Sequence, residues 1–195
     1  MVSCSSTGRV ANPLPRRLLL SAALAACSRK QPLPIFNTVP PFQLTSQDGL
    51  PFSSARLAGA PWLASFFFAS CNGPCPRINS HLAALQEKTY PFKNLKIVSL
   101  TVDPTHDTPA VLSAYARRFK ADPQRWFFLT GPQATIDSLA NDSFQVGASS
   151  SAQAHSTRIM LIDSRSRVRG HFPTSENQNF DALFTAIKTL YEEGS

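Results

Sequence analysis

Two cysteines four positions apart, Cys71 and Cys75, carry the sharpest chemical signal in the chain. They sit in Ser70-Cys71-Asn72-Gly73-Pro74-Cys75-Pro76, directly after the apolar run Trp62-Leu63-Ala64-Ser65-Phe66-Phe67-Phe68-Ala69. A thiol at the start of a helix faces unpaired backbone N–H groups, which favour negative charge. The spacing therefore predicts a lowered thiol pKa and a ready thiolate, the form that binds metals and attacks disulfides. Three readings compete for the pair. A static disulfide would close only a short local loop and so add little stability. A redox dithiol normally spaces its cysteines by two residues, whereas three separate them here. The wider loop can open both sulfurs towards one ion, so a metal site with redox chemistry alongside is the favoured reading.

Two thiolates want at least one more ligand, and four histidines are present. His81 falls inside the predicted helix after the cysteines. His106 falls in a polar turn, and His171 on a predicted strand. His155 differs: it ends a Ser/Ala-rich loop and opens the strand Ser156 to Ile162. The start of such a strand can lie beside the loop that follows the first buried strand.

The elements that must position these residues read as an alternation of strands and helices. Phe42-Gln43-Leu44-Thr45 alternates like a strand, and Asp48-Gly49 marks a hairpin turn before Pro51-Phe52. The continuous apolar runs 62–69 and 95–102 read as strands covered on both faces. Ile78, Leu82 and Leu85 recur at helical spacing and predict a helix from Cys75 to about Lys88. Asp107-Thr108-Pro109 reads as a helix start with capping residues, and that helix runs to about Phe119. A third strand over 125–130 and a helix over about 132–142 follow. A closing hairpin (157–163 and 168–172) and a helix from Phe180 to Glu192 complete the pattern. The alternation predicts an α/β fold: a mixed sheet flanked by helices, with an N-terminal hairpin.

The amino terminus predicts export. Arg16-Arg17 precedes the apolar run 18–26, too short to span a membrane, and small residues follow as in a cleaved signal. Leu24-Ala25-Ala26-Cys27 resembles the bacterial lipoprotein box, which implies lipidation of Cys27 and cleavage before it. We therefore expect a signal peptide over 1–26, a proline-rich tether over 27–41 and a folded domain over 42–195. The formal net charge is +7; the first 26 residues hold three arginines and no acid, so the remainder keeps an excess of four basic residues. That excess lacks the dense Lys/Arg cluster of a nucleic-acid binder. Cys4 leaves with the signal and Cys27 with the lipid, so only Cys71 and Cys75 remain as thiols.

Three segments together resemble the Sco/SenC family. They are Phe66-Phe67-Phe68-Ala69-Ser70-Cys71-Asn72-Gly73-Pro74-Cys75-Pro76, Val102-Asp103-Pro104-Thr105-His106-Asp107-Thr108-Pro109, and His155-Ser156-Thr157-Arg158-Ile159-Met160-Leu161-Ile162-Asp163. They cover about residues 42–192. The resemblance implies a thioredoxin-like fold and a copper site formed by Cys71, Cys75 and His155, for Cu(I) or Cu(II). It also implies delivery of that copper to the binuclear centre of cytochrome c oxidase, from a lipid-anchored domain in the periplasm. It brings Asp103 close to the metal loop, beside a turn-shaping role. The family's alternative activity is a thiol-disulfide reductase keeping a partner's copper-site cysteines reduced. A thiol peroxidase needs Thr or Ser three residues before its cysteine. Phe68 and Asn72 hold those places here, which argues against it.

Overall fold

The apolar run before the cysteines becomes β4 (Trp62–Phe67), and every residue in it is buried. The computed structural model describes residues 32–92, 94–146, 157–174 and 177–193. In chain order, β1 (Asn37–Thr38), β2 (Gln43–Ser46), β3 (Pro51–Ser53) and a 3-10 turn (Ser54–Leu57) precede β4. After it come α1 (Cys75–Lys88), β5 (Lys96–Thr101), α2 (Pro109–Arg118) and β6 (Trp126–Thr130). Then follow α3 (Gln133–Ser138), a π-helical turn (Leu139–Ser143), β7 (Arg158–Ile162), β8 (Arg167–Pro173) and α4 (Asn177–Glu193). Among the described residues no helix is long and apolar enough to cross a membrane.

The strands form one sheet in the order β1-β8-β7-β4-β5-β6-β2-β3. β4, β5 and β6 run parallel, joined by α1 and α2 as crossovers. The remaining pairs are antiparallel, so the sheet is mixed as expected. Period-two alternation sends β4 side chains to opposite faces. Leu63 and Phe67 join Ile97, Phe128 and Leu161 under α1, α2 and α4. Trp62, Ala64 and Phe66 join Val98, Leu129 and Met160 under the 3-10 turn, α3 and the π turn. Each large apolar side chain so buried contributes roughly 1.5–3 kcal/mol. This is the thioredoxin-like layering that the resemblance implied. All these strands, helices and both cores lie within the compact unit Pro32–Ser195.

Between the two layers, polar groups of the central strands pair with one another. Ser65 and Ser99 share a hydrogen bond of 3.0 Å, and Trp126 Nε1 donates to Ser99 Oγ at 3.0 Å. Asp48-Gly49 forms the predicted turn between β2 and β3, with Gly49 at φ 78°, where a side chain would be strained. Two features differ from expectation. The predicted helix over 132–142 is α3 followed by a π turn, in which Phe144 N donates to Leu139 O at 2.9 Å. The wider turn places Phe144 edge-on against Trp62 and Phe66, at centroid distances of 6.1 and 5.6 Å. Part of the proline-rich stretch expected as a spacer also takes structure. Asn37 and Thr38 pair with Val168 and Arg167, and Val39 is buried.

Candidate metal centre

β4 stops at Phe67 and the chain turns at once: Cys71 N donates to Phe68 O at 3.2 Å. Pro74 caps the next element and α1 begins at Cys75, within the range expected from sequence. Pro76 occupies the first turn, where its missing N–H costs little. Ile78, Leu82 and Leu85 bury the inner stripe of α1 and hold its start under β4. Both cysteines are free thiols, Cys71 at 6% exposure and Cys75 at 0%. Their sulfurs lie within hydrogen-bonding reach of each other. Phe67, Ile78, Leu112, Tyr115 and Phe128 belong to the same apolar cluster.

That burial corrects one expectation. The helix start was expected to lower the thiol pKa, but the Cys75 thiol is pushed up. Burial is the main cause, and the hydrogen bond with Cys71 and that group's charge add to it. The backbone amides near Cys75 act the other way and are outweighed. An anion in an apolar cluster loses more hydration than a few amide dipoles return. In the reduced, metal-free protein Cys75 therefore keeps its proton. Asn79, one turn further along α1, donates to Cys75 O and to the Tyr115 hydroxyl, both at 3.1 Å.

Asp107 is a second correction. It was expected to cap α2, but the cap is Thr108, whose Oγ1 accepts from Val111 N at 3.4 Å, with Pro109 opening the helix. The Asp107 carboxylate, 2% exposed, accepts from Ala69 N at 3.0 Å and from Thr101 Oγ1. It thereby ties the cysteine loop to the end of β5. Burial raises its pKa, and these two bonds partly offset the rise. The contact with Ala69 spans 38 residues, so no local motif announced it. Asp103 N donates to Thr101 Oγ1 at 3.0 Å, which fits the turn-shaping role. Its carboxylate lies 2.8 and 2.9 Å from His106 Nδ1 and holds that exposed imidazole's pKa above its usual value.

The histidines separate by position. His81 packs against Phe180 with centroids 6.0 Å apart, and His171 meets Phe36 edge-on at 5.2 Å. His155 and Cys27 lie outside the described residues. The strand that follows His155 is described. Met160, Leu161 and Ile162 pair antiparallel with Ala64, Leu63 and Trp62. β7 thus starts, at Arg158, at the end of the sheet where β4 gives way to the cysteine loop. Among the described residues no group of three His, Cys, Asp or Glu side chains is arranged to hold a metal.

Comparison with known proteins agrees with this architecture. The SCO1/SenC family model matches residues 31–192. The SCO1 protein homolog of Bacillus subtilis is 30% identical over 178 residues, covering 88% of this chain and 92% of that protein. A Stutzerimonas stutzeri protein named for copper binding is 27% identical over 147 residues, covering 71% of each. Among solved structures, a SCO1/SenC family lipoprotein from Bacillus anthracis is 31% identical with a TM-score of 0.74, covering 80% of this chain and 95% of that one. BsSco, described as a member of the Sco family of cytochrome c oxidase assembly proteins with a disulfide switch, is 28% identical with a TM-score of 0.73, covering 82% and 98%. With the family model matching residues 31–192 and a relative 30% identical over most of both chains, this chain belongs to the SCO1/SenC family.

Proposed function

We propose that this protein binds one copper ion through Cys71, Cys75 and His155 and delivers it to the copper-bearing subunit of cytochrome c oxidase, at its binuclear centre. The observation that carries the reading is the pair of free, buried thiols within reach of each other at the end of the sheet where β7 starts. His155 precedes Arg158 by three residues, a stretch of at most about 10 Å. Soft thiolates favour Cu(I), and imidazole also accepts Cu(II). The apolar cluster around the sulfurs suits a cargo that must be shielded from water until it is handed on. The Stutzerimonas relative, named for copper binding, and BsSco, described as a cytochrome c oxidase assembly protein, support cargo and recipient. Loading displaces the proton that burial keeps on Cys75, so copper uptake releases acid.

The protein acts in the periplasm, anchored by lipid on Cys27; that the Bacillus anthracis relative is described as a lipoprotein supports the anchor. Two free, buried thiols that influence each other's charge also favour a second reading, thiol-disulfide reduction. In that reaction Cys71 and Cys75 give two electrons and two protons to a partner's disulfide, leaving two thiols there and a disulfide here. The BsSco disulfide switch points to the same couple in a relative.

Titrating reduced residues 28–195 with Cu(I) and with Cu(II) tests the main reading. The expected result is one equivalent bound, with a thiolate charge-transfer band for Cu(II). Replacing either cysteine by alanine abolishes binding. His155→Ala weakens it while leaving disulfide exchange intact. Unchanged affinity in His155→Ala would remove the imidazole from the ligand set, and failure of the wild type to bind would leave the reductase reading.

A further inference from the structure

The end of the sheet opposite the cysteines has its own character. β4, β5 and β6 start there, at Trp62, Lys96 and Trp126, and β7 turns into β8 there. A cavity of about 330 Å³ opens at this end, lined among others by Pro61, Asn94, Arg165, Arg167 and Glu193. Its acids are already committed. Asp163 takes Arg167 at 2.8 Å and Arg169 at 2.9 Å, and Glu193 takes Arg169 at 2.8 Å. The Arg165 side chain is exposed on the turn and makes no ion pair among the described residues. Further positive charge gathers at the same end of the molecule, on Lys96 and in the last turn of α2 at Arg117 and Arg118.

The chain arrives at the rim of this cavity. Leu33 N donates to Glu193 Oε1 at 3.1 Å, and Leu33 O accepts from Arg169 Nη2 at 2.7 Å. Pro32 lies five chain steps beyond Cys27, a reach of at most about 18 Å. A lipid on Cys27 therefore limits how far this end can stray from the surface, and at low ionic strength, where the Debye length grows to about 30 Å, the whole reach lies within the field of an anionic membrane.

We propose that the arginine-lined end of the domain docks on the phosphodiester headgroups of an anionic phospholipid surface, with Arg165 as the free guanidinium and the cysteine end facing away from the bilayer. The planar guanidinium matches a phosphate in two-point contact. The orientation leaves the metal site open to a partner's domain beside or above the membrane. The proposal rests on the lipid-anchor part of the reading above and is independent of its copper part.

The test uses unlipidated residues 28–195, which contain every described strand and helix, with vesicles of phosphatidylcholine alone or mixed with phosphatidylglycerol. Partitioning onto the phosphatidylglycerol vesicles at low salt, and its loss at high salt, is expected. Arg165→Glu, a change of two charges, lowers the partition coefficient on the order of tenfold or more. Arg77→Glu makes the same change in net charge at an exposed position on the cysteine end and leaves partitioning near the wild-type value. No binding to phosphatidylglycerol overturns the proposal, and so does equal loss in both variants. Full release by millimolar inorganic phosphate at constant ionic strength would reassign the site to a soluble anion. Mass analysis of Cys27 in the native host reports the anchor separately, and the copper titration of each variant reports the metal site separately.

Discussion

The Cys75 thiol is buried beside Cys71 and titrates above its ordinary value, whereas in the unfolded chain it ionises near its usual pKa of about 8.5. Between those two values the unfolded state binds fewer protons than the folded one. Stability is therefore complete below about pH 8 and falls as pH rises, by up to about 1.4 kcal/mol per pH unit for the one group. The buried Tyr115 hydroxyl, also pushed up by burial, adds its own loss only above about pH 10, where unfolded tyrosine ionises. Urea unfolding of the reduced, metal-free protein should show a midpoint that declines from about pH 8.5 to 10. In Cys75→Ala the baseline stability is lower but that decline is shallower. Parallel curves for the two proteins would mean that Cys75 is not the group responsible. Sequence alone put this residue at the helix start and drew the opposite sign for its pKa. The helix end was legible, but the depth of apolar cover over it comes from Leu112, Tyr115 and Phe128, remote in the chain. The same distance effect hid Asp107, whose partner Ala69 lies beyond a whole βα unit.

At the level of elements, legibility followed pattern length. α1 was readable to its ends because proline opens it and Ile78, Leu82 and Leu85 mark its inner face. β4 and β5 were readable because both of their faces are covered, so every position after Lys96 in β5 and throughout β4 is apolar or small. β1 was not readable, since two residues between prolines carry no period, and its place is set by β8 and by Arg169. That arginine is 4% exposed and holds four groups at once: Asp163, Glu193 and the carbonyls of Leu33 and Pro34. It joins the incoming chain, β8 and the end of α4 into one structure. Arg169→Ala leaves the partly buried Glu193 without its cation and the buried Asp163 with Arg167 alone, and should cost about 1–3 kcal/mol in chemical denaturation, less than a fully orphaned buried charge would. Faster amide exchange at Phe36 and Val39, which bond to the β8 turn, should accompany it. Arg169→Lys should recover little, because a single ammonium cannot span both acids and both carbonyls. Wild-type exchange at those amides in Arg169→Ala would show that the strap is held by its strand pairing alone.

Across the whole molecule, alternating strands and helices made the α/β class and the mixed sheet readable. The placing of β2–β3 beside β6 and of β1 beside β8 was not, because edge pairing is decided by long-range contacts. The thiol pair of the candidate site was read from spacing, whereas His155 entered through family resemblance. The fold gives that site a particular standing. Both cores are closed by Phe66, Phe67, Trp126, Phe128 and their neighbours, all within 1% of full burial, and neither core needs an ion to complete it. Copper therefore acts on this domain as a ligand on a finished fold, and its removal should not unfold the protein. Stripping copper with a chelator under reducing conditions should leave the far-ultraviolet spectrum and the cooperativity of unfolding unchanged. The midpoint should fall only by binding linkage, about 2.7 kcal/mol at a free copper level a hundredfold above Kd. For a domain of this size that is roughly 5–10 °C. Loss of cooperative unfolding in the stripped protein would instead make the ion part of the core, a role unsuited to a cargo that must leave.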